Sequence, residues 1–258
     1  MQERNDVMRS FGSHLWVEVA PHRWLAAGSA RLVEEVVDVI GDGKEATIYC
    51  CRADEHLEAS WMVAKVYRAQ KFRAFNNTSR YLDAGEIRDR RQRRAVQKKT
   101  RAGRGFAHHV WIEREWDTLN LLYEAGADIP EPYAHSADAI LMEYVGEPGE
   151  VAPLLLRVEL EGAELREAFE TLLENIELFL ACDRIHGDLS AYNVLWWEGR
   201  PKIIDLPQAV PASGAPDAYA LLRRDVHNIC RYFERAGLRT DAGAIAERLW
   251  KRWLRGEL

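Results

Sequence analysis

The chain has 258 residues, 47% of them apolar, with four cysteines and a formal net charge of −6, enough apolar side chain for a sizeable core in one large domain or two packed lobes. It contains no CxxC pair and no His/Cys cluster at zinc-ligand spacing, which excludes a disulfide scaffold and a zinc module and leaves Cys50, Cys51, Cys182 and Cys230 as reduced thiols. The opening MQERNDVMRSFGSHLWVEVAPHRW lacks an uninterrupted apolar stretch, and no later window approaches the roughly 18 apolar residues of a membrane span, so a cytoplasmic protein is expected.

In chain order, residues 1–30 read as an extension, and RLVEEVVDVI (31–40) as a strand running into Gly41-Asp42-Gly43. ATIYCC and SWMVAKVYR follow as two further strands separated by polar, turn-forming residues, so the glycine turn lies inside a β-meander. A basic insertion occupies about 68–106, with its charge concentrated in IRDRRQRRAVQKKTRAGR (87–104). AHHVWIEREWDTLNLLYEAG (107–126) carries Val110, Trp111, Leu119, Leu122 and Tyr123 at near-helical spacing and ends on Gly126, which predicts a helix. IPEPYAHS is closed to helix by its prolines, and AILMEYVG (139–146) reads as a buried strand. GEPGEVAP then marks a boundary between a first lobe at 31–146 and a second at 147–258. AELREAFETLLENIELFLACDR (163–184) puts Leu165, Phe169, Leu172, Ile176 and Phe179 on one helical face, and two more helices finish the chain. The expected class is α+β: an antiparallel sheet with one helix, followed by a mainly helical lobe.

Three features carry chemistry. Gly41 and Gly43 can bring backbone N–H groups close to phosphate, because glycine reaches positive φ and has no Cβ to keep a ligand away; a plain hairpin turn is the competing reading. It is not a Walker A loop, since Glu45 follows Lys44 and Asp38 stands where that motif has its first glycine. Lys65 sits inside an apolar strand, where an ammonium must either reach solvent or meet an anion; Glu115, one helical turn before Leu119, is the best-placed partner and Glu113 the runner-up. In RIHGDLSAYNVLWWEGRPKIIDLPQ (184–208), Asp188 and Asn193 are five apart on a loop entering a strand, and Asp205 follows twelve later at the end of the next. That spacing brings three oxygen donors to one edge of a hairpin. In kinases the first orients a substrate hydroxyl and the other two hold Mg²⁺.

GKEATIY, VAKVYR, WIEREWDTL, HGDLSAYNVL and IIDLPQAV, in that order, resemble the RIO family of atypical serine/threonine protein kinases over about residues 35–235. The resemblance implies a two-lobed protein-kinase-like fold without a peptide-binding activation segment, and ATP with Mg²⁺, or Mn²⁺ in its place, as cofactors. It implies Asp188 as the catalytic aspartate, and Asn193 and Asp205 as further catalytic residues and metal ligands. Lys65 with Glu115 would contact phosphate; Gly41, Gly43 and Lys44 would form the nucleotide loop. LMEYV would be the hinge, with backbone groups at Glu143 and Val145 meeting adenine. Too few residues precede the first strand for a winged helix, which places the chain nearer the branch of the family without one.

There are departures. Gly41-Asp42 stands where family members commonly have Ser-Thr, which adds an acid near the phosphates. Gly187 replaces the arginine of H-R-D, and only nineteen residues separate Asp205 from Asp225, too few for a segment that binds extended peptide. Asp225 reads as a brace for the catalytic-loop backbone. The basic run 87–104 reads either as a solvated helix face or as a surface for RNA, including ribosomal RNA, or an acidic protein. The expected activity is transfer of the ATP γ-phosphate to a protein hydroxyl, on another protein or on the chain itself. An ATPase switch in assembly, and a small-molecule kinase similar to aminoglycoside or choline phosphotransferases, stand as alternatives.

Overall fold

The computed structural model describes residues 17–18, 24–25, 32–55, 57–68, 100–136 and 138–258. Most of the basic run, including Arg90, Arg91, Arg93 and Arg94, lies outside the described residues. The chain divides into two compact units, with boundaries after Asp117, after Glu131 and after Tyr144.

The first unit is built on a seven-stranded antiparallel sheet in the order β2-β1-β6-β7-β5-β4-β3. Its strands are β1 (Val17–Glu18), β2 (Trp24–Leu25), β3 (Val33–Asp42), β4 (Ala46–Ala53), β5 (Trp61–Tyr67), β6 (Pro132–His135) and β7 (Ala139–Glu143). The glycine turn joins β3 to β4 as expected, and β7 occupies the first part of AILMEYVG. Alternation decides the faces: Met62, Ala64 and Val66 of β5 join Val33, Val36, Tyr49, Cys51 and Leu141 in one apolar cluster, leaving Lys65 and Tyr67 on the opposite face. Cys50 and Cys51 are adjacent on β4 and both buried, so the sheet is covered on both sides at that point. The four cysteines are free thiols.

Helix α1 spans Arg101–Glu124, six residues longer at its start than the periodicity alone indicates. Its buried side chains include Ile112, Glu115, Trp116, Leu119 and Leu122, whereas Tyr123, expected on the apolar stripe, is 39% exposed. The stripe is therefore set by Ile112 and Trp116, at i and i+4, rather than by Tyr123. Gly126 closes the helix at φ +87°, and the Ala127 N–H donates to Leu122 O at 3.0 Å, a left-handed cap that glycine adopts without a Cβ penalty.

The second unit takes in Thr118–Glu131 as well as Val145–Leu258. Asp128 explains the first of these: its N–H donates to Asn175 Oδ1 at 2.7 Å and its Oδ2 accepts from Asn175 Nδ2 at 2.8 Å. Its carbonyl also accepts from the Ile203 N–H at 2.7 Å. Asn175 lies on α2 (Gly162–Ala181), whose buried face includes the five apolar residues expected there. Short strands β8 (Gly146–Glu147) and β9 (Glu150–Val151) pair with each other, as do β10 (Arg184–Ile185) with β13 (Val210–Pro211), and β11 (Val194–Trp197) with β12 (Arg200–Ile203). Helices α3 (Ala218–Arg235) and α4 (Ala242–Leu254) complete the unit. Among the described residues no helix is long and apolar enough to cross a membrane.

Candidate active site

In the first unit the ammonium of Lys65 donates to Glu115 Oε1 at 2.7 Å, and the Tyr67 hydroxyl donates to Oε2 at 2.6 Å. Both members of the ion pair are buried, with side-chain exposures of 9% and 2%. Lys65 and Tyr67 are two apart on β5 and so share the face from which they meet one carboxylate. A buried pair of this kind is held by its extra hydrogen bonds as much as by Coulomb attraction, because desolvation offsets most of the latter. The runner-up, Glu113, is engaged elsewhere: its Oε1 meets His135 Nε2 at 2.9 Å. That hydrogen bond to His135 holds the Glu113 carboxyl below its usual range.

The glycine turn differs from expectation in its means. Neither Gly41 nor Gly43 has positive φ; a Cβ on Gly41 would press on Ile48 Cγ1 at 3.2 Å, so close strand packing is what favours glycine there. The Gly43 N–H donates to Ala46 O at 3.0 Å, which commits that amide to the turn itself. Lys44 is exposed. Arg68, which the sequence reading passed over, gathers the turn: its guanidinium donates to Gly43 O at 3.0 Å, and also to Asp42 Oδ1 and Thr47 Oγ1.

In the second unit the loop 186–193 is fixed by its backbone. Asp225 of α3 accepts from the Gly187 N–H at 2.7 Å and the Leu189 N–H at 3.0 Å. Arg224 donates to Gly187 O, and Asn228 Nδ2 donates to Leu189 O at 3.1 Å. Asp225 is thus the brace the sequence indicated; Arg224 and Asn228, which join it, were missed. Their signal is their placing at i−1 and i+3 from Asp225 on one helix. Burial pushes the Asp225 carboxyl up to about 7, against the two N–H donors and the Arg224 charge, which pull it down. Gly187 sits at φ +78°, and a Cβ there would lie 2.6 Å from Gln208 O. A side chain there is strained by the left-handed backbone and must displace the Gln208 carbonyl, which favours glycine over the arginine of H-R-D.

His186 is buried, with Nε2 against Ile204 O at 3.1 Å and Nδ1 accepting from the Asp188 N–H at 3.3 Å. A carbonyl only accepts and a backbone N–H only donates, so the proton is on Nε2 and the ring is neutral. Burial, which pushes its pKa down, acts in the same direction.

On this clamped backbone Asp188 is exposed between buried Gly187 and Leu189. The Asn193 side-chain amide donates from Nδ2 to Asp188 O at 2.9 Å, which leaves its oxygen as the group able to ligate. The Ile204 N–H donates to Asn193 O at 2.9 Å, so Asp205, exposed and at φ +67°, follows directly on a bond to Asn193. Asn193 and Asp205 therefore flank the open end of the β11–β12 hairpin, and Asn193 is bonded to the backbone of Asp188. Glu143 ends β7, and the Val145 carbonyl accepts from the Ala152 N–H at 3.0 Å.

The family model of the RIO domain matches residues 47–244. The chain belongs to the RIO family. Serine/threonine-protein kinase RIO1 of Chaetomium thermophilum is 32% identical over 220 residues, which cover 81% of this chain and 41% of that protein. RIO-type serine/threonine-protein kinase Rio1 of Haloferax volcanii is 30% identical over 210 residues, 81% of this chain and 66% of the relative. Serine/threonine-protein kinase RIO3 of Homo sapiens is 26% identical over 227 residues, 84% of this chain and 41% of the relative. The RIO chain thus spans between about two fifths and two thirds of the length of these relatives.

The activity named for these relatives requires ATP and a divalent metal in general. The donors of this RIO domain fit a hard cation: an amide oxygen and carboxylates, with no soft ligand among them. Among the described residues no three His, Cys, Asp or Glu side chains form a metal cage.

Proposed function

We propose that this RIO domain transfers the γ-phosphate of ATP to a serine or threonine hydroxyl of a protein. The observation that carries the reading is the exposed Asp188 carboxylate on a backbone held by Asp225, Arg224 and Asn228. An acceptor hydroxyl needs an oriented base that does not move, and positioning is most of what phosphoryl transfer asks of a protein. Asp188 takes the hydroxyl proton as the hydroxyl oxygen bonds to the γ-phosphorus. The bond from that phosphorus to the β–γ bridging oxygen breaks, and ADP departs with the electron pair. Asn193 and Asp205 hold Mg²⁺, for which Mn²⁺ can substitute; when bound, the metal neutralises charge on the transferred group. Lys65, oriented by Glu115 and Tyr67, contacts the α- and β-phosphates. Gly41, Gly43 and Lys44 border them, and the backbone at Glu143 and Val145 meets adenine.

A second reading, ATP hydrolysis as a switch, is favoured by the segment after Asp205. Ser213 donates to Asp183 twice, from N–H to Oδ1 and from Oγ to Oδ2, each at 2.7 Å. That ties the short segment back to the loop before β10 and leaves no extended strand for peptide. Radiolabelled ATP with purified protein, with and without cell lysate, separates the two readings: labelled protein supports transfer, and phosphate release alone supports the switch. Asp188→Ala should lower turnover by at least about a hundredfold while retaining nucleotide binding. Asp205→Ala should weaken Mg²⁺-dependent binding; the reverse pattern in calorimetry overturns the assignment.

A further inference from the structure

Asp42 places a carboxylate in the turn that the proposed reading assigns to the triphosphate, where an acid repels the ligand. The structure pairs that acid. Arg68 is the first residue after β5, and its backbone N–H donates to Glu45 O at 2.8 Å. Its guanidinium donates to Gly43 O at 3.0 Å, to Thr47 Oγ1 and to Asp42 Oδ1. One residue thereby holds four members of the turn, Asp42, Gly43, Glu45 and Thr47. The Arg68 side chain is 25% exposed and that of Asp42 65%, so the cation lies mostly covered while the acid faces water. An ordinary surface ion pair has no such set of additional bonds and adds little to stability. The planar guanidinium fork suits this arrangement, since it serves several acceptors in fixed directions where an ammonium would not.

Lys65 lies within β5, whereas Arg68 is the first residue past its end. Lys65 goes to Glu115, and Arg68 to the turn. We propose that Arg68 is a positioning residue for the triphosphate: it cancels the charge of Asp42 and locks the β3–β4 turn in the form that accepts phosphate. The inference rests on the reading of the site as an ATP site. It assigns the discrimination between a phosphorylated and an unphosphorylated ligand in part to this clasp.

The test measures binding of ATP with Mg²⁺, and separately of adenosine, by calorimetry on the full chain and on Arg68→Met, Arg68→Lys, Asp42→Asn and the Asp42→Asn/Arg68→Met double variant. Arg68→Met should weaken ATP about tenfold and leave adenosine affinity within about twofold, a split that a general loss of folding would not produce. Arg68→Lys should recover part of the loss, since it restores charge without the fork. Asp42→Asn should tighten ATP by about twofold, and adding Arg68→Met to it should cost clearly less than the roughly tenfold it costs the wild type, because the acid to be cancelled is gone and only the bonds to Gly43 O and Thr47 remain to be lost. An equal loss in both backgrounds, or a parallel loss for adenosine, overturns the proposal. If the wild-type protein binds no ATP, the reading of the site falls. The clasp is then decided by amide exchange of residues 43–46 without nucleotide: faster exchange in Arg68→Met supports the lock, and unchanged exchange refutes it.

Discussion

Lys65 shows what one residue determines in this fold. Its ammonium is buried against Glu115, which also accepts from Tyr67, so neutralising the acid removes a close counter-charge from a covered cation. Glu115→Gln should therefore destabilise the protein by about 3 kcal/mol or more, and Tyr67→Phe by about 1–2 kcal/mol, both read from chemical denaturation. Asp225 gives the corresponding pH dependence. Its folded pKa, about 7, is above its ordinary value of 3.8, so between those values the folded protein retains a proton that the unfolded chain has lost. The stability it contributes is complete below pH ~4 and falls as pH rises through about 7. Wild type minus Asp225→Asn, in unfolding free energy against pH, should show that decline; a flat difference contradicts it. Lys65 stood out in the sequence as a cation inside an apolar strand, and its expected pairing with Glu115 is present; Asp188, Asn193 and Asp205 stood out by their spacing. Arg68 was not legible, since an arginine at a strand end before a basic stretch looks like any solvated charge, and only tertiary pairing reveals its acceptors.

Elements were legible where periodicity is long and less so where it is short. The five apolar residues assigned to α2 are all buried in it, because twenty residues give a stripe several chances to declare itself. Strands β1 and β2 have two residues each and exist through pairing with β6 and with each other, which no local pattern encodes. The turn holding Gly41 and Gly43 does join two strands as expected, but neither glycine uses the positive φ that the sequence suggested. Gly187 is the opposite case: the sequence noted a missing arginine, and the backbone shows why it is missing. Gly187→Ala must accommodate both left-handed geometry and a contact with Gln208 O, so it should cost at least about 1–2 kcal/mol. Turnover should fall further than that of a surface glycine variant such as Gly199→Ala, whose Cβ would meet nothing within 4 Å.

For the whole molecule, the sequence suggests a single boundary near residue 146, whereas the chain passes between its two compact units three times. Asp128 and Asn175 carry that difference, because their mutual hydrogen bonds tie the end of α1 to α2. Ligand binding confined to the folded state should raise unfolding free energy by about 2.7 kcal/mol when ATP with Mg²⁺ is at a hundred times its dissociation constant. Asp205→Ala should remove most of that shift in calorimetric melting. The adjacent thiols of β4 supply an independent gauge of the sheet. Burial pushes Cys51 up to about 12 and Cys50 in the same direction, so neither offers a nucleophilic thiolate while β4 stays covered. An alkylating reagent should capture the half-exposed Cys182 first. Modification of Cys50 and Cys51, followed peptide by peptide in a mass spectrometer, then becomes a clock for each opening of the sheet.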